Sequence, residues 1–182
     1  MFRRAPARVL VSCAVAMVAG AATAHAQHDM SAMHATPNTL TGQPLAIGLL
    51  DVDNFKRLND ELGHSAGDVA LRSLAGAISK SLRPADAVAR FGGEEFVVLL
   101  PATAVEEGEQ ILTRLQRSLS VGLFMHERKT VFVTFSAGVT THRAGETLEQ
   151  ALERADAALY EAKRTGKNRT CIASASMPIV KK

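Results

Sequence analysis

A pair of adjacent glycines lies between two short apolar runs of this chain and limits the folds that it can adopt. Gly92 and Gly93 separate residues 87–91 from residues 95–100. Runs of this length are typical of strands, and glycine tolerates the positive φ that a two-residue hairpin turn demands. The sequence therefore predicts an antiparallel β-hairpin that turns at the two glycines.

Hydrophobic patterning predicts the elements around this hairpin. The run Leu45 to Leu50 is continuously apolar, which is typical of a strand covered on both faces. Apolar residues at helical spacing predict helices, and β-branched or aromatic runs predict further strands. The predicted helices cover residues 54–62, 67–82, 103–118 and from 147 towards 166, and the further strands cover 130–139 and 171–173. This order implies an α/β fold of the α+β sandwich type, in which helices pack on a central, mostly antiparallel sheet.

Composition sets the size of the core and excludes one class of partner. Of the 182 residues, 47% are hydrophobic, which is enough for one globular unit with a sizeable core. The formal charge is +3, but Arg3, Arg4 and Arg8 place three positive charges in the N-terminal segment. Without that segment no net positive charge remains, so we expect no diffuse basic surface for a nucleic-acid polymer.

Residues 1–26 have the pattern of an export signal. A basic start is followed by an apolar stretch from Val9 to Ala22 and by the small-x-small cleavage site Ala24-His25-Ala26. The pattern predicts a signal peptide, or an inner-membrane anchor if the segment is not cleaved. Association with the membrane is expected only in the second case.

The segments that flank the predicted domain have no usable hydrophobic period. Residues 27–43 predict a disordered leader, and residues 175–182 predict a flexible tail. The leader contains soft or borderline metal ligands, His28, Met30, Met33 and His34. They suggest a periplasmic metal-binding protein, for a metal such as copper, as a weaker alternative, although a mobile tail explains the same composition.

Acidic residues end the first predicted strand. Asp51 and Asp53 follow the apolar run and flank Val52. Carboxylates at i and i+2 of a strand project to the same face, and a buried charge is costly unless something pairs with it. Mg²⁺ is a natural partner because it takes a few carboxylates and completes its shell with water and phosphate oxygens. Taken alone, the motif is explained more simply by a strand end whose acids are solvated or cap the next helix.

A second acidic pair lies at the hairpin. Glu94 and Glu95 come directly after the glycines and begin an apolar strand. A hairpin needs only its turn residues, so a doubled acid against a core strand indicates a further function. Glycines at this turn would let a bulky ligand approach the backbone, because no Cβ is in the way. If the two strands are neighbours, Asp51 and Glu94 converge on one metal site.

The segment Arg90 to Phe96, Arg-Phe-Gly-Gly-Glu-Glu-Phe, resembles the signature of the GGDEF family of diguanylate cyclases in its GGEEF form. Further segments resemble the family in the right order: Asp51 to Asp60, Gly63 to Asp68, Ser136 to Val139, and Ala155 to Lys163 with Gly166 to Asn168. The resemblance predicts one such domain over residues 44–174, with a ferredoxin-like, palm-type nucleotidyl cyclase architecture. It also implies a homodimer that makes cyclic di-GMP from two GTP molecules.

The resemblance implies a role for each matching residue. Asp51, the carbonyl of Val52 and Glu94 would hold two divalent cations, Mg²⁺ or Mn²⁺, in each active site, and Glu95 would assist deprotonation or orient the metals. The implied nucleotide-binding residues are Asn59 and Asp68 for the guanine edge, Lys56, Lys163 and Lys167 for the phosphates, and Gly92 and Gly93 beside the nucleotide. Each residue alone also fits a structural role, such as a helix cap or a solvated helix face.

A further motif precedes the hairpin. Arg83 and Asp86 resemble, in spacing and register, the RxxD inhibitory site of the family, where the product cyclic di-GMP binds. Arg114 matches the position from which another arginine often joins. Arginine suits this task because its planar fork can grip a phosphate or a guanine edge. The resemblance therefore implies product inhibition.

Two features favour an alternative function, a catalytically impaired module that acts as a cyclic di-GMP receptor or regulatory domain. The family's opening motif is echoed by Thr39 to Gly42, but Gln43 and Pro44 follow directly where a helix is expected. The resemblance thus implies a domain without its first helical segment. In addition, an exported protein would meet little GTP, so the chemistry favours the cytoplasm for the functional domain although the leader predicts export.

Overall fold

The computed structural model describes residues 42–121, 123–126 and 129–174. The predicted signal peptide, the predicted tail and all but the last residues of the predicted leader lie outside these ranges. In the described part of the chain, no helix is both long enough and apolar enough to cross a membrane.

Strands and helices follow one another much as the sequence predicts. The strands are β1 (Leu45–Val52), β2 (Ala87–Arg90), β3 (Glu95–Pro101), β4 (Leu123–His126), β5 (Lys129–Phe132), β6 (Phe135–Thr141) and β7 (Thr170–Ile172). The helices are α1 (Phe55–Leu62), α2 (His64–Ser81), α3 (Val105–Val121) and α4 (Leu148–Arg164). Strand β4 was not predicted, and β5 and β6 were predicted as one strand.

A five-stranded sheet in the order β2-β3-β1-β6-β7 forms the centre of the fold. Its neighbouring strands are antiparallel except β6 and β7, which are parallel. Strands β4 and β5 form a separate two-stranded sheet. The predicted α/β class with a mostly antiparallel central sheet is confirmed.

Every residue of β1 is buried, as a strand with helices on both faces requires. Its alternate side chains divide between two cores. On one face, Leu50 belongs to a cluster with Leu74 of α2 and Leu112 of α3. On the other face, Ile47 belongs to a cluster with Leu159 of α4. The end of β1 therefore lies between helices from both sides of the sheet.

Helix α4 approaches the sheet through small residues. Its predicted capping box is present, since Gln150 N donates to the Thr147 side chain and Thr147 N donates to the Gln150 side chain. At Gly138 of β6, an added Cβ would lie 2.0 Å from the Ala155 carbonyl oxygen and 2.3 Å from Leu159 N. The buried face of the helix consists of Ala151, Ala155, Ala157, Ala158, Leu159 and Ala162.

The prediction of one strand over residues 130–139 is wrong. The segment divides into β5 and β6, which belong to different sheets. At the break, the Thr134 carbonyl accepts a hydrogen bond from Asp53 N (2.9 Å), and the Thr134 hydroxyl donates to Asp53 Oδ2 (2.9 Å). The chain turns away from strand pairing because Thr134 binds the residue that follows β1, a long-range contact that β-propensity does not encode.

The hairpin of β2 and β3 is confirmed, but the backbone conformation expected of its glycines is wrong. Strand β2 ends at Arg90 and β3 begins at Glu95, so residues 91–94 form the loop. Phe91 N and Gly92 N both donate to the Glu95 carbonyl oxygen, at 2.8 and 3.3 Å. Neither glycine has a positive φ. The loop is wider than a two-residue turn, and it therefore needs no left-handed residue.

Candidate functional site

The acidic residues of the two predicted motifs meet at one end of the sheet. Strands β1 and β3 are neighbours, and Asp51 is the register partner of Glu95. One residue further along β1, Val52 N donates to the Glu94 carbonyl oxygen over 3.2 Å. The expected adjacency of the Asp-Val-Asp segment and the glycine hairpin is therefore present in the backbone.

Glu94 is affected by the charge of Asp51 at this end of the sheet. Asp51 is 6% exposed. The pKa of Glu94 is raised, first by burial and then by the charge of Asp51; Lys163 opposes this rise and Glu95 adds to it. A carboxyl group whose negative charge is disfavoured in this way is stabilised in its ionised form by a nearby cation.

A lysine from α4 pairs with Asp51. Lys163 Nζ lies 2.8 Å from Asp51 Oδ2, and the two side chains are 37% and 8% exposed. Asp51 lies two residues after Leu49, on the same face of β1. Leu49 belongs to the cluster that contains Leu159 of α4, so a residue in the last turn of α4 can reach Asp51. The structure thus brings two predicted site residues into direct contact. The sequence had suggested a phosphate, and no carboxylate, as the partner of this lysine.

Asp53 has a different environment from Asp51. Its Oδ1 accepts a hydrogen bond from Ser136 Oγ (2.6 Å), and its Oδ2 accepts from Thr134 Oγ1 (2.9 Å) and Asn168 N (3.0 Å). These donors satisfy most of the acceptor capacity of the buried carboxylate. Asp53 thereby holds the loop after α4 against the end of β1. Sequence analysis missed this role because the partners lie 81–115 residues away.

The loop after α4 has an uncommon backbone conformation. Gly166, Lys167 and Asn168 have consecutive positive φ values of 125°, 62° and 46°. Lys167 Nζ donates to Asn54 Oδ1 over 2.5 Å. The loop thereby places Lys167 beside the start of α1, the helix on which Lys56 is exposed.

The predicted guanine-binding residues lie on the two helices that follow β1. Asn59 of α1 has a buried Oδ1 that makes no hydrogen bond within the described residues, and an added Cβ at Gly67 of α2 would lie 2.0 Å from it. A buried amide oxygen without a donor is costly, so a ligand that supplied one would be stabilised. Asp68 is exposed and lines a groove of about 330 Å³ together with Arg90 and Phe96.

The two glycines of the hairpin loop have different surroundings. An added Cβ at Gly92 would lie 2.8 Å from Glu95 Oε2, whereas one at Gly93 would meet nothing within 4 Å. Gly92 therefore leaves space for the Glu95 carboxylate, and Gly93 leaves space for a ligand to approach the backbone. Arg90 spans the same loop, since its guanidinium donates to the carbonyl oxygens of both glycines.

The predicted metal ligands supply only part of a coordination shell. Within the residues that the structure describes, no group of three or more His, Cys, Asp or Glu side chains is arranged to hold a metal ion. The predicted ligands are two carboxylates, Asp51 and Glu94, and the main-chain carbonyl of Val52. These are the hard oxygen donors that Mg²⁺ prefers, and Mg²⁺ usually completes its shell with water and substrate phosphates. The residues therefore fit a cation that binds together with a nucleotide.

A second groove, of about 260 Å³, is lined by Arg83, Asp86 and Arg114. Arg83 donates from N, Nε and Nη2 to the Asp86 carboxylate at 2.9, 3.3 and 3.1 Å. Its Nη2 also donates to Thr103 Oγ1 over 2.7 Å. The Asp86 side chain is 2% exposed and that of Arg83 is 50% exposed. The residues of the predicted inhibitory site thus surround one groove, and binding of cyclic di-GMP there stays a prediction.

Comparisons with known sequences place the chain in one family. The profile of the family described as "Diguanylate cyclase, GGDEF domain" matches residues 24–169. Diguanylate cyclase DgcP of Pseudomonas aeruginosa is 49% identical over 132 residues, which are 72% of this chain and 20% of DgcP. Response regulator PleD of Caulobacter vibrioides is 41% identical over 133 residues, which are 71% of this chain and 29% of PleD. The chain thus spans less than a third of the length of these relatives.

Solved structures show the same fold. The GGDEF domain of DgcB from Caulobacter crescentus, in complex with c-di-GMP, has a TM-score of 0.70 at 34% identity, over 74% of this chain and 78% of that one. The active GGEEF domain of a diguanylate cyclase from Vibrio cholerae has a TM-score of 0.70 at 33% identity, over 76% of this chain and 88% of that one. Because the family profile extends over well more than half of its residues, the chain belongs to the GGDEF family of diguanylate cyclase domains.

Proposed function

We propose that this chain is a diguanylate cyclase, which condenses two GTP molecules into cyclic di-GMP and releases pyrophosphate. The observation that carries the proposal is the register of β1 and β3, which sets Asp51 opposite Glu95 and Val52 beside Glu94. Membership of the family and the names of the relatives support the same activity.

In this proposal, Asp51, the Val52 carbonyl and Glu94 are the protein ligands of two Mg²⁺ or Mn²⁺ ions. Such ions lower the pKa of an attacking hydroxyl and neutralise charge on the leaving pyrophosphate. Lys163 and Lys167, which the last turn of α4 and the following loop bring to this end of the sheet, contribute positive charge for the phosphates.

Residues of α1 and α2 select the base. The Asn59 Oδ1 lacks a donor within the described residues, and the N–H groups on the guanine edge would supply one. Asp68 is a second acceptor for the same edge. Adenine presents a different pattern of hydrogen-bond donors and acceptors, and it would leave the acceptors of Asn59 and Asp68 unpaired. Lys56 adds positive charge from the exposed face of α1.

The reaction requires two copies of the site. The 3′-hydroxyl oxygen of one GTP forms a bond to the α-phosphorus of the other, the bond from that phosphorus to the β-phosphate breaks, and pyrophosphate leaves. The hydroxyl proton passes to a base, and Glu95, whose carboxylate lies against Gly92, is our candidate for accepting it or for orienting the metals. A symmetric second attack closes the ring. A head-to-tail homodimer is needed to hold both nucleotides, and we expect it to work in the cytoplasm, where GTP is available.

The groove of Arg83, Asp86 and Arg114 supports a site for the product. The Arg114 guanidinium, together with the Arg83 N–H groups that do not donate to Asp86 or Thr103, can bind phosphates or a guanine edge, and binding of cyclic di-GMP would restrain the enzyme. The same groove favours a second candidate function, a cyclic di-GMP receptor without turnover.

Turnover of GTP distinguishes the cyclase from the cyclic di-GMP receptor. Purified protein is incubated with GTP and Mg²⁺, and the nucleotides are separated by chromatography. We expect cyclic di-GMP from the wild type, and a rate about 10²–10³-fold lower from Glu94→Ala, as for loss of a group that stabilises transition-state charge. Glu153→Ala, which removes an exposed carboxylate in the middle of α4, is the control and should retain the rate. Tight binding of cyclic di-GMP by a wild type that makes none would support the receptor instead.

Calorimetric titration with cyclic di-GMP tests the product site. Removal of a hydrogen bond to a charged group lowers affinity by roughly 10–100-fold. Arg114→Ala should therefore bind cyclic di-GMP that much more weakly than the wild type. Arg117→Ala removes another exposed arginine of α3 that does not line the groove and should bind like the wild type. Equal affinity of Arg114→Ala and the wild type would exclude this groove as the inhibitory site.

A further inference from the structure

Lys163 and Asp51 form an ion pair whose two members are unequally exposed. The ammonium Nζ lies 2.8 Å from Asp51 Oδ2; the carboxylate side chain is 8% exposed and the lysine side chain 37%. Taking a carboxylate out of water is costly unless a partner of opposite charge compensates it. Lys163 supplies that compensation.

Two further carboxylates lie near Asp51. Glu95 is its register partner on β3, and Glu94 is the next residue along the hairpin. Burial and the charge of Asp51 both raise the pKa of Glu94, and Lys163 lowers it. Loss of the lysine would therefore leave a group of carboxylates without this counter-charge.

The lysine side chain can leave this position without a movement of its helix. Helix α4 is fixed by its capping box and by the backbone contact at Gly138, and Ala162, the residue before the lysine, is fully buried. The lysine stem has several rotatable bonds and is partly exposed, so its ammonium can move while the helix stays in place.

We infer that Lys163 is a resident counter-cation of Asp51, and that it exchanges this carboxylate for nucleotide phosphate when a divalent cation takes its place. The inference rests on the proposed function. It means that the metal competes with the lysine in the absence of nucleotide and that nucleotide phosphate relieves this competition. Metal and nucleotide should then raise each other's affinity by the same factor, because a coupling between two bound ligands is reciprocal.

Mn²⁺ alone is the probe for this competition. The free hexaaqua ion is measured by electron paramagnetic resonance during titration of the nucleotide-free protein. Lys163→Met keeps the length of the stem and removes the charge. We expect Mn²⁺ to bind this variant about tenfold more tightly than the wild type, within the range of typical coupling factors. Arg164→Met, which removes one positive charge at the next and more exposed position, should bind like the wild type.

A second titration contains α,β-methylene-GTP, which cannot release pyrophosphate. The analogue should raise the Mn²⁺ affinity of the wild type, and it should raise that of Lys163→Met much less. Thermal unfolding checks that the variant is folded, and Lys163→Gln replaces it in both titrations if it is not. Equal Mn²⁺ affinities of wild type and variant, in a protein that still condenses GTP, would overturn the counter-cation inference alone. If the wild type and both variants bind no Mn²⁺ beyond the amount that the analogue binds without protein, the proposed function fails as well.

Discussion

Gly138→Ala tests whether a backbone contact holds α4 on the sheet. The added Cβ would lie 2.0 Å from the Ala155 carbonyl oxygen, and this contact would have to lengthen to the 3.4 Å of ordinary contact, by about 1.4 Å. The second clash, 2.3 Å, is with Leu159 N. Both atoms belong to the backbone of a helix, so a change of rotamer cannot relieve the strain. The helix or the strand must move instead.

The expected cost lies at the upper end of the range for overpacked cores. Such substitutions typically cost about 1–3 kcal/mol, and we expect at least about 3 kcal/mol here because the displaced helix carries a wholly buried alanine face. At about 2–4 °C per kcal/mol for a chain of this size, the melting temperature should fall by roughly 6–12 °C. The same displacement would move Lys163 away from Asp51 and lower the proposed cyclase activity.

Thermal unfolding followed by circular dichroism measures this effect. Gly76→Ala is the matched control, because it adds the same methyl group inside α2, where a Cβ would meet nothing within 4 Å. Alanine is favoured over glycine in a helix by up to about 1 kcal/mol, so the control should melt at or above the wild-type temperature. A Gly138→Ala protein that melts no lower than the wild type would refute the claim that this contact fixes α4.

Further predictions concern charge, loop position and base recognition. Burial raises the pKa of Glu146, but hydrogen bonds and the charge of Arg154 lower it more. Its stabilisation is therefore complete above the unfolded value of about 4.5 and is lost as pH falls through the lower folded value. In urea unfolding, Glu146→Gln should cost about 2 kcal/mol at neutral pH and progressively less in acid; a pH-independent cost would contradict this. Asp53→Asn should lower the free energy of unfolding by about 1–3 kcal/mol, because an amide cannot accept all three hydrogen bonds; an unchanged denaturation midpoint would show that the bonds do not hold the loop. Gly67→Ala should displace the Asn59 amide and weaken binding of a GTP analogue about tenfold in calorimetry, with less than about 1 kcal/mol change in stability; equal affinity would exclude this amide from the base site.

Local sequence patterns predicted most of the fold. A wholly apolar run predicted that β1 is covered on both faces, and the structure buries every one of its residues. Thr147 and Gln150 predicted the start of α4, since a capping box depends on residues only three positions apart. Strand pairing beside the glycines followed from the turn residues and the two flanking runs. Each of these signals is complete within a few residues of sequence.

The helices, most of the strands, the family and the two acidic segments at one end of the sheet were all predicted from the sequence. The contacts of each charged group, in contrast, depend on the tertiary structure. Asp51 and Asp53 have the same chemistry two residues apart, yet one pairs with Lys163 and the other with hydroxyl and backbone donors from distant segments. The break between β5 and β6 has the same origin. These outcomes depend on groups up to 115 residues apart in the chain, and local propensity carries no information about such distances.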